Sequence, residues 1–166
     1  KVQFEEMAAL LPFARTISDL EDQRRRLESI DPGKTAALLD ALSRQIVETQ
    51  KSIESGKIAK PKRTVANRTV RTIAGLRQTL RGWYNFHNLY DPTFTWWNKK
   101  PYESVDDALQ KYLTYVSSKL VGIAPDDRTT IIGDPIGREA LIEELQFEMI
   151  PYTPEELVEL ANKEFD

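Results

Sequence analysis

Nine prolines punctuate this 166-residue chain, and their placement constrains its fold more than any other feature. A proline lacks the backbone donor of other residues and clashes with the preceding turn, so it starts, ends or kinks a helix. Here the prolines fall between stretches whose apolar residues recur at three- and four-residue spacing, with Pro12 the exception. Such spacing marks one face of a helix. The first stretch, Phe4 to Ile30, carries Phe13, Ile17, Leu20 and Leu27, with Arg24 interrupting. Asp31-Pro-Gly33 then reads as a turn whose aspartate caps the next helix, with proline at its first position. The second stretch carries Leu38, Leu39, Leu42, Ile46 and Ile53. Two striped helices joined by a tight turn predict an antiparallel hairpin over residues 1–56.

Residues 57–63 read as a basic linker, with Gly56 closing one helix and Pro61 blocking its continuation. A third helix is predicted from Thr64 to Leu89, carrying Val65, Ile73, Leu76, Leu80 and Trp83, and stopped by Asp91-Pro92. The next residues, Thr93 to Glu103, read as an irregular aromatic loop. Ser104-Val-Asp-Asp107 has the hydroxyl and first-turn acids of a helix start. That helix would bury Leu109, Tyr112, Leu113, Val116 and Leu120 and close at Gly122. Asp134-Pro135 predicts the cap of a fifth helix, and Thr153-Pro-Glu-Glu156 is a capping box opening a last one. No period of 20–50 residues recurs, which excludes a solenoid of repeats. The expected fold is all-α: an N-terminal antiparallel helical hairpin followed by a multi-helix bundle over 64–166 with an aromatic loop. The start at Lys1, and a last helix reaching Asp166 without a stop signal, predict a natural chain that continues further.

Composition excludes several classes. With no cysteine there is no disulfide framework, thiolate metal site or thiol nucleophile. That absence fits the cytosol and an exported bacterial protein equally, so the compartment stays open. The hydrophobic and charged fractions are those of a soluble globular protein, and no apolar run reaches the roughly 18 residues that span a bilayer. The net charge of −3 hides a split: nine Lys/Arg against one acid over 51–81, then ten acids against two bases over 134–166. Because the acidic tail can neutralise the basic segment, no nucleic-acid partner is expected.

Candidate chemistry is sparse. A zinc hydrolase needs two or three nitrogen or carboxylate ligands converging on one point, and His87 is the only histidine. No Gly-x-Ser-x-Gly elbow presents a serine to it, so His87 reads as packed among aromatics rather than catalytic. Gly133-Asp-Pro-Ile-Gly137 precedes a helix but lacks the Walker lysine and any preceding strand, so it reads as a turn. Residues 81–102 hold all three tryptophans, and Trp96 and Trp97 point to opposite sides if the backbone there is extended. Packing is the favoured reading for most of these rings.

Four strings, in order, resemble one family. They are Gly82-Trp-Tyr-Asn-Phe-His-Asn-Leu-Tyr-Asp-Pro-Thr-Phe-Thr-Trp-Trp97, Lys100-Pro-Tyr102, Ile131-Ile-Gly-Asp-Pro-Ile-Gly-Arg-Glu-Ala-Leu141 and Glu148-Met-Ile-Pro-Tyr-Thr-Pro-Glu-Glu-Leu157. Residues from about Arg71 onward are similar to domain-of-unknown-function family 885, a mostly microbial set of helical proteins that resemble zinc metallopeptidases. The resemblance implies a longer parent whose metal helix, a His-Glu followed by Pro-Gly-His, lies downstream of these residues. It therefore implies no catalytic or metal residue and no cofactor here, with zinc held by the full-length parent. It implies that Trp96, Trp97, Tyr102, Gly133, Asp134 and Arg138 wall a cleft for a peptide-like substrate, with the remainder of the parent chain as partner. The alternative is a stand-alone helical interaction module.

Overall fold

The computed structural model describes residues 2–124, 127 and 129–165, with side chains from Glu5 onward. Lys1 and Asp166, on which the expected continuation rests, lie outside the described residues. Every regular element among those described is helical, so the all-α expectation holds. The α-helices are α1 (Val2–Met7), α2 (Ala14–Arg25), α3 (Pro32–Glu54), α4 (Arg63–His87), α5 (Pro92–Tyr115), α6 (Arg138–Phe147) and α7 (Pro154–Phe165). A 3₁₀ turn, Ala8–Leu10, precedes Pro12, and a π-helical turn, Val116–Val121, ends α5 at Gly122 in the left-handed conformation (φ 75°). The chain divides into two compact units, residues 1–131 and 132–166.

In the first unit the helix ends follow their local chemistry. Asp31 accepts from the Lys34 N–H at 3.0 Å and Pro32 fills the first helical position of α3. Asp91 and Pro92 repeat that device at α5, where the aspartate accepts from the Thr93 N–H at 2.8 Å. The Asp91-Pro92 pair, expected only as a stop, is therefore also a start. The expected aromatic loop over 93–103 is helix, and Ser104-Val-Asp-Asp107 lies in its interior. Pro101 sits inside α5 as well, against the expectation that only Pro12 would interrupt a periodic stretch. Packing accounts for the difference: Phe94, Asn98, Val105, Leu109 and Tyr112 fall on one buried face at spacings of four, seven, four and three. Asn98, fully buried, donates to the Phe94 carbonyl at 3.1 Å and to the Pro32 carbonyl at 3.2 Å, so a polar residue continues the stripe.

The pairing also differs from a two-helix hairpin. The main packing joins α3 to α5, α2 to α4 and α4 to α5, with α1 on α4, while α2 and α3 hardly touch. Length explains it: α3 and α5 have 23 and 24 residues and match along their faces, whereas α2 has 12. Leu39, Leu42, Ile46 and Ile53 face inward as expected, but Leu38 does not. Trp83, Tyr112, Phe13 and Phe94 fill the centre, and Tyr112 donates its hydroxyl to the Leu10 carbonyl at 2.8 Å. Burying rings of this size contributes the largest apolar terms in the core. Arg77 adds a two-pronged pair to Asp106 (2.6 and 2.8 Å), joining α4 to α5.

In the second unit the capping box forms as expected: Thr153 Oγ1 accepts from the Glu156 N–H at 3.3 Å and Glu156 accepts from the Thr153 N–H at 2.7 Å. Asp134 is not the cap of α6. Gly137, at φ 90°, takes that place, and the first helical bond runs from the Leu141 N–H to its carbonyl at 3.0 Å. Only glycine holds that backbone angle without strain, so the cap falls three residues after the aspartate. Neither α6 nor α7 contains a buried residue.

Candidate functional site

The last turns of α4 and the first turn of α5 build an aromatic corner. Trp83, fully buried, meets Phe94 edge-on (centroids 5.5 Å, 72°) and His87 likewise (5.6 Å, 62°). His87 also stands edge-on to Phe86 at 4.9 Å and tilted to Phe94 at 5.1 Å. From α2, the Arg24 guanidinium lies 5.1 Å over the Phe86 ring, a favourable cation–π distance. Glu21 fixes it through bonds of 2.8 and 2.6 Å. Those bonds, joined by one from Arg25, overcome partial burial and pull the Glu21 carboxyl down to about 2.

Between this corner and the end of α2 lies a pocket of about 530 Å³, within the range that holds small ligands or single large side chains. Leu27, Ile30, Phe86, His87, Tyr90 and Phe94 supply most of its wall, with Arg24, Glu28, Ser29 and Asp91 as its polar edge. Burial lowers the affinity of His87 for a proton, and the nearby positive charge of Arg24 lowers it further, with Asp91 opposing. The imidazole is therefore neutral at pH 7. Its Nε2, like the Trp83 Nε1–H, is buried without a hydrogen-bond partner. Ser29 and Asp91 share the wall, but the serine–imidazole bond that nucleophilic catalysis needs is not made. A more open groove of about 690 Å³ runs along α3, lined by Arg44, Val47, Glu48, Lys51 and Ile58.

The residues expected to wall a cleft are distributed as follows. Trp96 and Trp97 are both on α5, edge-on to each other at 5.1 Å, with exposures of 76% and 47%. Their separation to opposite sides, argued for an extended backbone, does not arise in a helix. Tyr102 is stacked on Tyr84 at 3.8 Å, so one of its faces is covered. Gly133, Asp134 and Arg138 belong to the second unit, where Arg138 is paired with Glu155 at 3.0 Å. None of the six lines the aromatic pocket. The pocket residues Arg24, Leu27, Phe86 and Tyr90 were not among the expected ones. The one sequence signal for them is Arg24, the single charge that interrupts the apolar stripe of α2.

Among the described residues no three His, Asp or Glu side chains are grouped where they could hold a metal ion. No protein-family model, no curated protein and no solved structure matches this chain.

Proposed function

We propose that this chain is a non-catalytic helical binding module that receives an apolar side chain of a peptide-like ligand in the pocket beneath Arg24 and His87. The observation that carries the reading is the combination of aromatic walls with a neutral, half-buried imidazole whose Nε2 is covered, which suits an uncharged group and penalises a charged one. If the family resemblance holds, the module is one wall of the substrate cleft of a longer zinc-dependent, peptidase-like hydrolase. Trp96 and Trp97 then flank that cleft, and the metal is supplied by other parts of the parent. No step is assigned to zinc on these residues.

The test is a titration of ¹⁵N-labelled protein with N-acetyl-leucine amide and N-acetyl-phenylalanine amide. Saturable amide shifts confined to residues 27–30 and 86–94 are expected. Shifts that fail to saturate, or that spread evenly over the chain, would remove the pocket as a site. A second reading, a helical interaction module, is favoured by α6 and α7, which leave Phe147, Val158 and Phe165 exposed. Sedimentation that stays monomeric, with no partner retained on Phe147→Ser-sensitive capture, would end that reading.

A further inference from the structure

Three residues other than glycine hold positive φ among those described, and all are large and apolar: Leu27 (55°), Leu89 (69°) and Met149 (58°). Helices that end this way use glycine, or asparagine, because a Cβ crowds the backbone in the left-handed conformation. Leu27 and Leu89 follow α2 and α4 in the first unit, and they stand 79% and 83% exposed. The core does not need these side chains, and the backbone is strained by them. Strain held at exposed positions points to a use outside the fold.

Both leucines belong to one tip. Leu27 and Tyr90 line the same pocket, and Tyr90, next to Leu89, is 88% exposed. The Leu89 N–H donates to Thr95 Oγ1 at 3.0 Å, which folds the turn onto the start of α5, where Trp96 is the next residue. Lys99 and Lys100 lie three and four residues beyond Trp96 and so share its face. Both are exposed and make no ion pair among the described residues. The acids at this tip are engaged: Glu28 pairs with Arg26 at 2.5 Å, Glu21 with Arg24 and Arg25, and Asp91 caps α5. Glu103 is one turn further along α5.

We infer that this tip docks on the surface of an anionic lipid bilayer. Leu27, Leu89, Tyr90 and Trp96 enter the interfacial layer, and Lys99 and Lys100 meet the lipid headgroups. Amphipathic rings settle at the membrane–water boundary, and adjacent lysines strengthen binding to anionic lipid. A protein partner fits less well, because lysine is depleted at protein interfaces, and Leu27, Leu89 and Tyr90 project from turns instead of forming a flat face. The inference concerns a surface contact, not a span: no helix among the described residues is long and apolar enough to cross a membrane. It does not depend on the pocket taking a peptide-like ligand.

The test uses the full chain with phosphatidylcholine vesicles prepared with and without phosphatidylserine, read by co-sedimentation and tryptophan emission. Binding to the phosphatidylserine vesicles, a blue shift from Trp96 and Trp97, and weakening by salt are expected. The Leu27→Gly/Leu89→Gly double variant relieves the backbone, so it should fold at least as stably while binding about ten- to a hundred-fold more weakly. Absence of binding, equal binding by the double variant, or binding without a tryptophan shift would each overturn the inference. Self-association abolished by the same double variant would also overturn it, by assigning the leucines to a second copy.

Discussion

Replacing Pro101 with alanine should stabilise this protein. Proline in a helix interior costs roughly 3 kcal/mol relative to alanine, because position 101 offers no N–H to the Trp97 carbonyl and its ring crowds that turn. Against this, alanine removes two ring methylenes from a half-buried position. At about 0.8 kcal/mol for each fully buried methylene, that loss is about 0.8 kcal/mol at half burial. The net is a gain of about 2 kcal/mol, which for a chain of this size raises Tm by about 4–8 °C. Differential scanning calorimetry of Pro101→Ala beside the parent protein measures it directly. The sign is what matters. If 93–103 were a loop, alanine would only loosen the unfolded chain and lower stability by about 0.4–1 kcal/mol. A Tm that falls or stays constant would refute the continuous α5.

Other expectations follow from single contacts. Tyr112→Phe leaves the buried Leu10 carbonyl without its donor, and should cost about 1–2 kcal/mol in urea unfolding. His87 binds a proton less readily when folded than when unfolded. Its contribution is therefore intact above the ordinary histidine value of about 6.5 and lost as pH falls through it. The drop in Tm between about pH 7.5 and 5.5 should shrink in His87→Leu, and an unchanged drop would mean the imidazole is not desolvated as described. The Glu21 carboxyl, lowered from 4.5 to about 2, works in a more acidic window. Its stabilisation is present above about 4.5 and lost towards 2, so Glu21→Gln should flatten acid unfolding in that window and lower stability by a pH-independent amount above pH 5.5. In the ligand titration, Leu27→Asp should abolish the saturable shifts by placing a charge on the rim of the apolar pocket.

Local chemistry made much of this fold legible in the sequence. The apolar spacing of α2, α3 and α4 is visible without any structure, as are the caps at Asp31 and Thr153 and the glycine ends at Gly56 and Gly122. These features are legible because caps and amphipathic stripes act over four residues or fewer. Asp91-Pro92 is the same signal as Asp31-Pro32. It was masked by Pro101, by a polar residue at Asn98 and by the start-like run Ser104-Val-Asp-Asp107. Each of these disfavours a helix locally, and burial against α3 outweighs all of them.

The sequence by itself therefore determined that the chain is helical and where most helices begin and end. Tertiary structure decided that α3 joins α5, because two long faces bury more together than either does on a short helix. It also decided that Arg24, Leu27, His87 and Tyr90, which are far apart along the chain, share one pocket. Left-handed leucines belong to the same class of fact. No residue type announces a positive φ at leucine, and only the packing of the helices it terminates imposes one.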